Sequence, residues 1–76
     1  MNRMSELKET DRELFKVLLV HWINHNGEHI SGYREWADKI RSAKPEVAEE
    51  IDQAIQAMEK AAKELMQAKI RFQEAG

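Results

Sequence analysis

The residues best equipped for chemistry are the chain's three histidines, which fall in the run His21-Trp22-Ile23-Asn24-His25-Asn26-Gly27-Glu28-His29. They recur every fourth residue, so on a helix they stack along one side. A pair of imidazoles at i and i+4 can share one ion, and imidazole suits zinc, nickel, copper and iron. His21 and His29 would lie ~12 Å apart along a helix axis, so one ion takes two neighbours of the ladder rather than all three. The candidate metal ligands are therefore His21, His25 and His29, for Zn, Ni or Cu. A two-fold dimer would bring two pairs together into a four-histidine site. Met58 is a candidate auxiliary ligand whose soft thioether favours copper or, with His29, haem-type ligation. Glu28 and Glu59 are candidate carboxylate ligands or partners for the ring nitrogen that faces away from a metal.

A plainer reading competes with this one. Histidine pairs at this spacing arise easily in helices, and such residues can serve core packing and the fixing of register. On a helical wheel with the aromatics counted as apolar, His25 and His29 fall at the centre of the apolar face and His21 at its edge. A buried imidazole must find partners for both nitrogens. The residues expected opposite, Met58, Ala61 and Ala62, are poor partners, which leaves water, a second copy or a ligand. Acid–base work by His25 with Glu28 lacks a nucleophile or pocket to support it, and no catalytic residue is assigned. The Glu-x-x-His pairs of ferritin-like di-iron bundles are absent. The expectation is of a protein that is not an enzyme.

These residues need elements to hold them, and composition limits what those can be. Seventy-six residues make one small domain, which needs disulfides, a metal, assembly or very regular helix packing to be stable. There is no cysteine, so disulfides and thiolate zinc sites are excluded. Charged residues make up 34% of the chain yet balance to −2, and no basic cluster marks a nucleic-acid binder. The apolar run Val17 to Val20 is far short of the ~20 residues that cross a bilayer, and no signal segment opens the chain. The expectation is a cytoplasmic protein with no nucleic-acid or membrane partner.

Residues 1–10 read as a frayed N-terminus. Thr10-Asp11-Arg12-Glu13 has the form of a capping box, which predicts a helix over 11–42. Phe15, Leu18, Trp22, His25, His29, Gly32, Trp36 and Ile40 keep one phase along it, with Trp22 and Trp36 as core anchors. Asn26-Gly27 could cap and end this helix, but the kept phase from Phe15 through Ile40 favours one long helix, with Gly27 as the place for any kink. Ser42-Ala43-Lys44-Pro45 is the linker, because proline disfavours helix at Lys44 but suits the first position of a new one. A second helix is predicted over 45–74. Its row Val47, Ile51, Ala54, Met58, Ala61, Leu65, Ala68 and Phe72 steps by four and three without a miss. Ala48, Ile55 and Ala62 widen that face beyond a two-stranded seam. Pairing about residues 43–44 sets Trp36 near Ile51, His29 near Met58 and Phe15 near Phe72.

The run His21-Trp22-x-x-His25-Asn26-x-x-His29, with Tyr33-x-x-Trp36-Ala37 behind it, resembles a group of small, uncharacterised archaeal and bacterial helical proteins over roughly residues 14–72. The resemblance implies a fully helical segment and carries no established activity. The whole reading is an all-α antiparallel helical hairpin of two long helices that dimerises into a four-helix bundle. Its expected interface is Ile51, Ile55, Met58, Ala62 and Leu65. The first expected function is a metal-binding module using the ladder. The alternative is a non-catalytic scaffold, oligomerisation or protein-interaction module, and a ligand or haem carrier is a third.

Overall fold

A computed structural model describes residues 7–74, and these form two helices, α1 (Glu9–Ile40) and α2 (Pro45–Glu74), packed against each other as a hairpin. The hairpin is a rod of 56 × 19 × 18 Å. No described residue lies in a strand, and no described helix is long and apolar enough to cross a membrane.

α1 starts two residues before the predicted limit. Lys8 is its N-cap, with extended backbone and no side-chain cap, and its carbonyl accepts from Arg12 N at 2.9 Å. Thr10 thus lies inside the first turn, and the capping box is not what begins the helix. Residues 1–6 of the expected frayed segment lie outside the described residues. Glu9 and Asp11 occupy the first turn, where carboxylates complement the helix dipole. The helix runs through Gly27 without interruption, and no described residue has positive φ. It ends at Ile40, two residues short of the predicted limit, in a turn where Ile40 O accepts from Ala43 N (3.1 Å) and Lys44 N (2.7 Å) and Pro45 has no N–H to carry the ladder further. Pro45 opens α2, where its missing N–H costs nothing, and the Lys44 carbonyl accepts from Val47 N and Ala48 N at 3.1 Å.

The seam between the helices tapers from small residues to large ones. Near the turn Ala37 and Ala48 are fully buried, which lets the backbones close together. Leu19 and Ile55 fill the body of the seam. At the open end Phe15 and Phe72 meet edge to face at 5.0 Å, with the Arg12 guanidinium 5.4 Å from the Phe72 ring. The pairing of Phe15 with Phe72 is as read from the sequence.

The rotation of α1 is not as read. Its inward row is Leu19, Ile23, Asn26, Ile30 and Ala37, one residue on from Leu18, Trp22, His25, His29 and Trp36. One residue is 100° of rotation. Aliphatic side chains pack against α2, and the bulkier aromatic and histidine row is turned out of the seam. Trp22 and Trp36 are 42% and 61% exposed and are not core anchors. On α2 the inward row is Ala48, Ile51, Ile55, Met58, Ala62 and Leu65, while Val47, Ala54, Ala61 and Ala68 are exposed. Ile55 and Ala62, expected at a partner interface, are thus spent within the hairpin itself.

Candidate functional site

The two rows turned out of the seam look out of the same side. The two-fold axis that exchanges two antiparallel helices is normal to the plane they define. Positions one residue before the seam on either helix therefore share one face, and positions one residue after it share the other. The after-seam positions carry the inter-helix ion pairs, Arg34–Glu59 at 2.8 Å and Arg41–Asp52 at 2.7 Å. The Asp52 carboxyl is held below its ordinary range by the hydrogen bond from the Arg41 guanidinium. That face is closed by charge.

The opposite face is open. From α1 it presents Leu18, Trp22, His25, His29, Gly32 and Trp36. From α2 it presents Val47, Ala54, Ala61 and Ala68, with Ile51, Met58, Leu65 and Phe72 half-buried between the rows. None of these positions is Asp, Glu, Lys or Arg, in a chain that is 34% charged. A hollow lined by Leu7, Leu14, Phe15, Leu18 and Phe72, with Asp11 as its one charged residue, opens onto the same side at the far end from the turn. Lys39 sits over the Trp36 ring at 4.6 Å and marks its rim.

The histidine ladder lies on the α1 edge of this face. His21, His25 and His29 are all exposed, so they are not core residues. The inward place expected for His25 belongs to Asn26, whose amide donates to the Met58 carbonyl at 3.1 Å. His25 Nε2 and His29 Nε2 are 2.9 Å apart, one donating the proton that the other accepts. The His21 ring stacks on that of His25 with centroids 5.5 Å apart, and His29 stacks likewise on Tyr33 at 5.7 Å. The ladder is thus one hydrogen-bonded pair with a stacked ring on each side. Glu28 Oε1 lies 3.9 Å from His25 Nδ1, outside hydrogen-bonding distance but on the ring nitrogen remote from His29. Glu59 is held by Arg34 on the opposite face and is not at the pair. Met58 is half-buried in the seam, joined to α1 through its backbone carbonyl. Among the described residues no group of three or more His, Cys, Asp or Glu is placed to hold a metal ion.

Sequence reasoning missed Asn26 as the polar residue of the seam, although its place between Ile23 and Ile30 at steps of three and four signals it. Gly32, placed on this row by the sequence, adds open space beside it: a Cβ built there meets nothing within 4 Å.

A family model described as a domain of unknown function (DUF8180) matches residues 15–72. A protein of Archaeoglobus fulgidus, named only "Uncharacterized protein", is 43% identical over 37 residues, which are 49% of this chain and 60% of that one. The chain therefore spans about three-fifths of that relative's length. No solved structure matches the chain.

Proposed function

The chain belongs to the DUF8180 family, a domain of unknown function, and we propose that it acts as a non-catalytic assembly module that pairs with a second copy of itself through the open face, forming a four-helix bundle. The observation that carries this is the open face, whose rows from Leu18 to Trp36 and from Val47 to Ala68 hold no charged residue. Only Leu19, Ala37, Ala48 and Ile55 are buried hydrophobics among the described residues, while Trp36 is 61% exposed. So small a core is marginal for a chain without disulfides, and covering the face removes the deficit.

Three further features favour a second copy as the occupant. The first is area. A face as long and wide as this rod covers roughly 1,000 Å² per copy, so two copies would bury about 2,000 Å², within the range of stable interfaces. The second is fit. Laid antiparallel on itself about its midpoint, the α2 row sets Met58 against Ala61, Ile51 against Ala68 and Leu65 against Ala54, large against small in these three pairs, with Val47 against Phe72 at the ends. The third is register. The same operation on α1 sets Trp22 against Trp36, His25 near Gly32, and His29 against its own copy. The two midpoints, near residue 29 on α1 and between residues 59 and 60 on α2, are level in the hairpin. The Asn26–Met58 and Arg34–Glu59 contacts straddle that level. One two-fold axis therefore serves both helices.

Light scattering and sedimentation equilibrium on the full untagged chain test this. The expected result is twice the 8.9 kDa chain mass, with a melting temperature that rises with protein concentration. Ala61→Glu is expected to halve the mass and lower the melting temperature, while Gln56→Glu, on the outer side of α2, leaves both unchanged. A helical species of single-chain mass at every concentration up to about millimolar would overturn the proposal.

A further inference from the structure

We infer that the self-paired hairpin carries a transition-metal site on its two-fold axis, made by His25 and His29 of both copies and suited to Ni(II) or Cu(II). This rests on the assembly proposed above and adds to it a ligand, a stoichiometry and a regulatory consequence.

The hydrogen bond holds the pair at the spacing of two ligands of one ion. Binding an ion there moves the shared proton to Nδ1 of its own ring, so that both Nε2 lone pairs are free. With metal–nitrogen bonds of about 2.05 Å, two nitrogens at 90° to each other lie about 2.9 Å apart, and at the tetrahedral angle about 3.3 Å apart. The observed Nε2–Nε2 separation is 2.9 Å. That is the edge of a tetragonal set, the geometry that copper(II) and nickel(II) adopt with nitrogen ligands. Reaching the zinc geometry requires the rings to part by about 0.4 Å.

One copy stops at two ligands, and the second copy completes the set. The axis that matches the α2 rows passes close to His29, so the two His29 rings face each other across it. Each His25 lies one turn away, level with Tyr33 of the other copy and next to its Gly32, where a longer side chain would otherwise stand. No atom lies within 4 Å of a Cβ built at Gly32, so this chain leaves space there for that ring. The ladder's flanks assist: His21 and Tyr33 stack on the outer sides of His25 and His29 and limit their rotation. Glu28 stands beside the nitrogen of His25 that the metal would leave free. An ion held this way links four helices and strengthens the dimer. Metal supply then sets the assembled fraction.

The test is titration of untagged, chelator-treated protein with Ni²⁺, Cu²⁺ and Zn²⁺ salts, followed by calorimetry, melting and mass together. The expected result is one ion per two chains, with Ni²⁺ or Cu²⁺ bound more tightly than Zn²⁺. At a hundredfold excess over Kd the melting temperature is expected to rise by roughly 10 °C or more. Bound copper should show a paramagnetic resonance spectrum of four equatorial nitrogens. His29→Gln and His25→Gln, at exposed positions, are expected to keep the helical signal and lose the metal-dependent shift. Gly32→Leu is expected to lose the shared site while leaving both histidines in place. A dimer that binds none of the three ions, or one ion per chain, overturns the site and leaves the assembly standing. A monomer under all conditions overturns both.

Discussion

At the scale of single residues, the two described glycines carry opposite meanings although both are helical and have nothing within 4 Å of a built Cβ. Gly27 follows the seam residue Asn26 on the ion-pair side, outside the proposed interface, and its missing side chain serves no contact there. Its effect is the entropy that glycine adds to the unfolded chain. Gly27→Ala is therefore expected to stabilise the protein by about 1 kcal/mol, seen as a higher midpoint in urea at unchanged slope. A lower midpoint would mean that the surface at Gly27 is occupied. Gly32 lies on the open face, where the same addition puts a group into the path of a second copy. The contrast turns on which side of one helix each residue occupies.

At the scale of the element, α1 is a helix with two candidate faces. The row Leu19, Ile23, Asn26, Ile30, Ala37 and the row Leu18, Trp22, His25, His29, Trp36 have the same period and differ by one residue. Periodicity made the helix legible, and Pro45 made its partner and the turn legible. It could not say which row meets α2. Counting aromatics as core residues favoured the second, and Asn26 interrupted the first. The α2 row had a related ambiguity: its unbroken pattern was real, but Val47, Ala54, Ala61 and Ala68 belong to the side left open. The adjacency of His25 and His29 followed from spacing alone, whereas their exposure depended on the rotation and so was misread. Asn26 itself offers a test of what sets that rotation. Asn26→Ala removes a half-buried hydrogen bond and packing, and is expected to cost about 1 kcal/mol in chemical denaturation. Asn26→Ile restores an apolar row and leaves no helical donor or acceptor unpaired, so it is expected to match or exceed the parent. If Ile proves as costly as Ala, the amide's bond to Met58 is what holds the seam.

At the scale of the whole molecule, the rod divides into a face closed by ion pairs and a face whose rows from Leu18 to Trp36 and from Val47 to Ala68 are free of charge. The pairs Arg34–Glu59 and Arg41–Asp52 are exposed and contribute little to stability. Their effect is on choice of side: a partner docking there would have to desolvate or break them, while the other face offers no such cost. Assembly is thereby directed to one side. The single short turn has a kinetic consequence as well. From it outward, the cross-helix contacts come in order: Arg41 to Asp52 spans 11 residues, Arg34 to Glu59 spans 25 and Asn26 to Met58 spans 32, with Phe15 and Phe72 last. Once each contact has formed, the next closes only a small further loop, so the entropic cost is met in small instalments. Such a chain should zip from its turn, with a transition state structured near Ala37 and Ala48 and loose at the aromatic end. Stopped-flow measurements would then find that Ala48→Gly slows folding, whereas Phe72→Ala leaves folding nearly unchanged and speeds unfolding. Equal effects of both on the folding rate would place closure of the open end in the nucleus. If zipping holds, the aromatic end is the last part to close and the first to open, and the lifetime of the folded hairpin is set there.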